Sequence, residues 1–133
     1  MREQETGAND LLARWADAVS RCDVAAVTAT YHPQAQFWGT FAGHLRTSGD
    51  DISHYFEHFL DHECMTVDLG PAEFSVQPGG RVLVAGEYQF CWQDEAAAAP
   101  VCARARYTMV LCPEASGWQI LQHHSSGWVD GGI

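Results

Sequence analysis

Near Met65 the spacing of apolar residues changes from the helical value of about 3.6 to the strand value of 2, so the two parts of the chain must form different layers. Before that point Leu11, Leu12, Trp15, Ala18, Val19 and Cys22 make one helical stripe, with Asn9 or Asp10 as its cap. Asp23 can cap a shorter second helix that carries Val24, Val27 and Tyr31 and is stopped by Pro33. Residues 34–40 then alternate as a short strand, with Ala35, Phe37 and Gly39 on one side and Gln36, Trp38 and Thr40 on the other. Ser48 or Asp50 opens a third helix whose Ile52, Tyr55, Phe56, Phe59 and Leu60 share a face opposite His54, Glu57, His58 and Asp61. Beyond Met65 come four strand candidates, residues 66–77, 81–93, 101–112 and 118–128. The turn signals Pro78-Gly79-Gly80, an Ala-rich loop ending at Pro100, and Pro113 to Gly117 separate them. Short turns between consecutive strands predict antiparallel hairpins. Helices first and strands later predict an α+β fold, with N-terminal helices packed on a strongly curved antiparallel sheet.

The chain of 133 residues has room for one domain, 1–133, with residues 1–9 as a polar tail. Its 47% hydrophobic content can build a core without disulfides or metal. Seventeen Asp+Glu stand against seven Lys+Arg, a formal charge of −10, which argues against nucleic acid or an anionic membrane as partner. The polar start and the lack of a membrane-spanning apolar run predict a cytoplasmic protein. Cys22, Cys64, Cys91, Cys102 and Cys112 form no C-x-x-C pair and read as small apolar core residues in a reducing compartment. The outer face of so long a sheet predicts a homodimer or higher homo-oligomer.

The densest reactive cluster is His123-His124-Ser125-Ser126 in the last strand candidate. Alternation places His123 and Ser125 on one face and His124 and Ser126 on the other, so the two histidines cannot easily share a metal. His54, His58 and His62 stand one helical turn apart, but on or near a polar face and without the internal Glu of a metalloprotease, so they read as a solvated stripe. Neither set predicts a metal or a cofactor, and zinc is not supported by the ligand spacing. Arg106 interrupts an apolar strand; on the concave side of the sheet it would face a pocket that receives an anion. Tyr88 and Tyr55 can each place a ring in the core and a hydroxyl in a cavity.

Trp15, Asp23, Tyr31-His32-Pro33, Phe37-Trp38-Gly39-Thr40, Tyr55-Phe56, Gly86-Glu87-Tyr88, Ala105-Arg106-Tyr107-Thr108, Trp118 and His123-His124-Ser125-Ser126 occur together. Their pattern resembles the bacterial group related to the calcium/calmodulin-dependent kinase II association domain, within the nuclear transport factor 2-like superfamily. The resemblance implies a cone-shaped α+β fold with a pocket between sheet and helices, and dimers or rings packed through the sheet. Within that group, Trp-Gly-Thr together with His-His-Ser-Ser is similar to the iota-class carbonic anhydrases, described both with zinc and without metal. In the metal-free members a threonine, a tyrosine and a serine contact bicarbonate, and the matching positions are Thr40, Tyr55 and Ser125. The family pattern has a proline three positions past the second serine, where this chain reads Gly127-Trp128-Val129.

The resemblance implies reversible hydration of carbon dioxide, with Thr40, Tyr55, Ser125 and His123 as catalytic candidates. Arg106, Trp38, Tyr88 and His124 are the candidates for substrate binding, and bicarbonate is the expected small-molecule ligand. A second reading is a non-catalytic module that binds a small carboxylate or apolar metabolite, favoured by the apolar wealth of Phe37, Trp38, Phe56, Phe59, Tyr88 and Trp92. A third is a SnoaL-like isomerase or cyclase, which requires a pocket carboxylate of raised pKa. Glu87 has the wrong parity beside Tyr88 for that part, and Asp50 and Asp51 read as helix caps.

Overall fold

The computed structural model describes residues 2–133, apart from the side chains of Arg2 and Cys64, so the reading of Cys64 as a core residue lies outside the described residues. Three helices, α1 (Arg2–Ser20), α2 (Val24–Ala29) and α3 (Gly49–Phe59), pack on one five-stranded sheet. Its strands are β1 (Tyr31–Trp38), β2 (Glu63–Val76), β3 (Val82–Gln93), β4 (Val101–Glu114) and β5 (Gly117–Gly127), in the order β1-β5-β4-β3-β2.

The polar tail is a correction, because α1 begins at Arg2 rather than at an Asn9 or Asp10 cap. Ala8 is fully buried, and Gly7 lies so close to the Trp118 indole that a Cβ there would overlap it. The tail is helical because β5 gives it something to pack on. The helix ends at Cys22, whose φ of 53° is left-handed. Cys22 N–H donates to the Val19 carbonyl and Asp23 N–H to that of Ala18, which closes the terminus in the manner of a Schellman turn. Asp23 then caps α2 by accepting from Ala26 N–H at 3.0 Å, as its sequence position predicts.

The second helix is shorter than its pattern suggests. Tyr31 opens β1, and Pro33 sits within that strand instead of stopping a helix. An edge strand tolerates a residue that cannot donate to the ladder. β1 also runs parallel to β5, so the sheet is antiparallel in its other three pairings only. α3 starts at its expected cap, Ser48, which accepts from Asp51 N–H, and it buries Ile52, Tyr55, Phe56 and Phe59.

The core lies between the helices and the concave face of the sheet, where Val82, Val84, Tyr88, Phe90, Ala105, Tyr107, Met109 and Leu111 point inward at strict alternation. In β5 the parity changes. Leu111 pairs with Ile120 but Val110 with Gln122, which leaves Leu121 as the extra residue of a bulge. Ile120 faces inward before the bulge, and His123 and Ser125 face inward after it.

The cysteines are a further correction. Cys91 and Cys102 are directly opposed on β3 and β4 and form a disulfide at the loop end of that hairpin, where Cys102 is exposed. Cys112 is buried and Cys22 half-buried, both as thiols. Among the described residues no helix is long and apolar enough to cross a membrane.

Candidate functional site: a hydroxyl-lined chamber behind a polar vestibule

The site begins with His123, fully enclosed and surrounded by the rings of Trp15, Tyr31, Phe37, Tyr88 and Tyr107. Its Nδ1 lies 2.9 Å from the Tyr31 hydroxyl and its Nε2 3.0 Å from the Tyr88 hydroxyl. Trp15 Nε1 donates to the Tyr31 oxygen at 3.2 Å and, being an indole, can only donate. The Tyr31 proton therefore goes to His123 Nδ1, the imidazole carries its proton on Nε2, and that N–H donates to Tyr88. The Tyr88 proton is then left free for another acceptor. Burial, reinforced by the neighbouring His124, lowers the His123 pKa to about 3, so the ring is neutral. Burial likewise raises the pKa of Tyr88 strongly, and the Ser125 hydroxyl offsets only part of that effect.

Thr40 follows β1, half-buried, and its Oγ1 lies 2.5 Å from Ser125 Oγ on β5. Tyr55 reaches the same place from α3. Its ring packs edge-on against Phe37, with centroids 4.9 Å apart, and flat against Gly39. A Cβ on Gly39 would stand 2.5 Å from two carbons of that ring and 2.8 Å from its hydroxyl. Glycine in Phe37-Trp38-Gly39-Thr40 thus serves the seating of Tyr55. Burial raises the Tyr55 pKa; the Phe41 backbone N–H, the Arg46 guanidinium and the Thr40 hydroxyl work against it.

These side chains enclose a chamber of about 10 Å³, the room of a single water, closed by Trp15, Phe37, Phe56, Phe59 and Phe90. The structure therefore brings together Thr40, Tyr55, Ser125, His123 and Tyr88. Trp38, His124 and Arg106 are not with them, which corrects their expected place in this pocket; Arg106 and His124 line a separate cleft of about 410 Å³ on the outer face. Trp38 stacks on His124, ring centroids 6.0 Å apart, on the outer face of the sheet. Arg106 is exposed on that same face and donates to Ser126 Oγ at 3.2 Å. Its register decides this: Arg106 shares parity with Thr108, and the inward side belongs to Ala105 and Tyr107. Trp92 stands outside the chamber too, stacked on His62.

Tyr55 and Phe59 separate the chamber from an open cleft of about 430 Å³, a vestibule lined also by Phe41, Arg46, His54 and His58. Arg46 was not singled out from the sequence, and neither were Tyr31 and Trp15 as members of the polar chain. The helix pattern reads His54 and His58 as a solvated stripe. Both are exposed, yet the loop after β1 folds over to make them one wall of a cleft. Among the described residues no group of three or more His, Cys, Asp or Glu is placed to hold a metal ion.

A curved α+β layer pair with a small enclosed chamber between helices and sheet defines a pocket fold, which the chain shares with solved structures named as nuclear transport factor 2-like proteins. Residues 8–130 match the SnoaL-like domain family, and the chain belongs to it. A solved structure from Xanthomonas campestris, named as a calcium/calmodulin-dependent protein kinase II association domain, is 25% identical with a TM-score of 0.84. The alignment covers 92% of this chain and 86% of that one. A protein from Novosphingobium aromaticivorans named as an aromatic ring hydroxylase is 15% identical, with a TM-score of 0.85 and coverage of 97% and 92%. A ketosteroid isomerase-like protein from Erwinia carotovora atroseptica is 18% identical, with a TM-score of 0.72 and coverage of 91% and 93%. Likeness at these last two levels shows a shared fold. A search of curated proteins finds no match.

Proposed function

We propose that the chamber carries out the reversible hydration of carbon dioxide. The observation that carries this reading is the meeting of the Thr40 and Ser125 hydroxyls, with those of Tyr55 and Tyr88 beside them, around a space for one water. The chamber holds one water, so Tyr55 or Phe59, which it shares with the vestibule, has to give way for a second reactant; a reactant admitted to so apolar a space must be slender and uncharged, and carbon dioxide is both. A proton-abstracting isomerase needs a carboxylate at this point, and the chamber lining contains none.

The environment favours a route that makes no charge inside. Burial holds Tyr31, Tyr55 and Tyr88 protonated and His123 unprotonated. In the step that fits, the water oxygen bonds to the carbon while a water proton passes to the Thr40–Ser125 hydroxyl pair. The proton of that pair moves onto a carbon dioxide oxygen, and the product is carbonic acid, which ionises on reaching solvent. His123 acts here by orienting Tyr88, since both its nitrogens are engaged. Hydroxyls suit the task because each donates and accepts at once.

Stopped-flow hydration assays on the purified protein, run with chelator and with added zinc, test the reading. Thr40→Ala, Tyr55→Phe and Ser125→Ala should each lower kcat/KM by roughly 10²-fold or more, the scale of one lost donor or proton relay. Melting temperatures should change little. A wild type inactive under both conditions, or three variants as active as wild type, would leave a non-catalytic pocket module in its place.

A further inference from the structure

Arg46 is the one arginine among the described residues that lines the vestibule, and it is held there from three sides. Its backbone bridges to β1: Arg46 N–H donates to the Phe37 carbonyl at 2.9 Å, and Phe37 N–H donates back at 2.8 Å. Its guanidinium lies over the Tyr55 ring, 5.3 Å from the centroid. Asp51, in the first turn of α3, accepts from Nε at 3.2 Å. His44 approaches the other oxygen of Asp51 at 3.8 Å.

What these restraints do not use is the Nη edge. Arg46 is 8% exposed, and its Nη1 is buried with no hydrogen-bond partner among the described residues. An always-charged donor shielded from solvent and left unpaired is costly unless something pairs it. The cleft beside it has His54, His58 and His62 along its rim and Phe41 and Phe59 as apolar walls.

We propose that the vestibule is a binding site for a small planar monoanion of the carboxylate type, held on the Nη edge of Arg46. Planarity follows from the guanidinium, whose parallel N–H groups match a carboxylate or bicarbonate fork. A single charge follows from Asp51, which already balances part of the arginine, and from a chain whose formal charge is −10. Size follows from a volume of about 430 Å³, open to solvent and far larger than the chamber behind it. Because Tyr55 and Phe59 belong to both spaces, an anion on Arg46 sits one ring away from the hydroxyls. Bicarbonate would be collected there as it forms; that identity rests on the hydration reading, while the anion site does not.

Sodium formate and sodium bicarbonate, titrated into the ¹⁵N-labelled protein with sodium chloride at matched ionic strength as control, test it. Both oxyanions should give saturable shifts at the amides of Gly43, Arg46 and His58 and at the Arg46 guanidinium, and chloride should not. In Arg46→Gln the affinity should fall at least about tenfold, the scale of a charge-assisted hydrogen bond. No saturable shift in the wild type overturns the proposal without any variant, so a misfolded Arg46→Gln does not shelter it. An equal response to chloride, or unchanged affinity in a folded Arg46→Gln, overturns it too. Hydration is read separately: a protein that binds formate but hydrates nothing keeps the site and loses the enzymatic reading, and hydration without formate binding does the reverse.

Discussion

Replacing Gly39 with Ala probes the link between motif and site most directly, because the backbone there needs no glycine and only the space does. Gly39 is not among the residues of positive φ, so alanine fits its backbone without strain. Its Cβ would lie 2.5 Å from the Tyr55 ring, where real contacts stay beyond 3.0 Å, so the ring must retreat by at least half an ångström. It has little room to do so, since Phe37, Phe56 and Phe59 surround it. Overpacking of this kind costs about 1–3 kcal/mol. With an unfolding entropy of roughly 2.1 cal/mol/K per residue over this chain, the melting temperature should fall by about 4–11 °C. Hydration should fall by on the order of 10²-fold, because a hydroxyl shifted toward 1 Å from its place loses that much.

Calorimetry supplies the first readout, and two further proteins sharpen it. Gly43→Ala, where a Cβ meets nothing within 4 Å, should melt within about 2 °C of wild type. In a Tyr55→Leu background the clash has no partner, so Gly39→Ala should cost at least 1 kcal/mol less than in wild type, a coupling within the roughly 0.5–3 kcal/mol seen for touching residues. A Gly39→Ala protein that melts and reacts like wild type would show that Tyr55 is not seated on Gly39, and the account of the motif would fail.

Two other outcomes follow from the geometry. His123 binds its proton less readily folded, at a pKa of about 3, than unfolded, near 6.5. Between those values the unfolded state holds the extra proton, so stability must fall as pH drops, by up to about 1.4 kcal/mol per unit. Urea unfolding from pH 7 to 4 should show this slope in wild type, and His123→Gln should lack that component; parallel slopes would refute a buried neutral imidazole. Arg106→Leu, on the outer face and far from the chamber, should leave hydration kinetics unchanged and shift stability by no more than about 0.5 kcal/mol. A large loss of rate would return Arg106 to the site.

The fold was legible because it rests on periodicity, which a linear string carries: α3, its Ser48 cap, and β3 and β4 are each readable from spacing alone. Parity also carried the inward placement of Tyr88 and, properly applied, the outward placement of Arg106. Counting alternation back from Tyr107 puts Arg106 beside Thr108, and only the expectation of a pocket cation pulled it inward. What could not be read depends on contacts between distant segments. Residues 2–8 look like a tail until Trp118 lies against Gly7. Tyr31 looks helical until β5 offers a parallel partner at Ile120. Cys91 and Cys102 look like core residues until β3 and β4 fix them opposite each other. Thr40, Tyr55 and Ser125 were named through resemblance, and no spacing in the sequence connects them.

The bulge at Leu121 shows why the site needs such non-local features. Without the extra residue, the parity of Ile120 would carry on to Gln122, His124 and Ser126, and His123 and Ser125 would face outward. The inserted residue exchanges the two sets at one stroke. His123 then meets Tyr31 and Tyr88, Ser125 meets Thr40, and His124 stacks on Trp38 outside. Chemistry divides along the same line. Inside the chamber every ionisable group is held in its neutral form, so a reaction there has to move protons without leaving a charge. Arg46 and the three histidines stand one ring further out, the histidines exposed and Arg46 nearly buried, and that is where the proposed anion would be held.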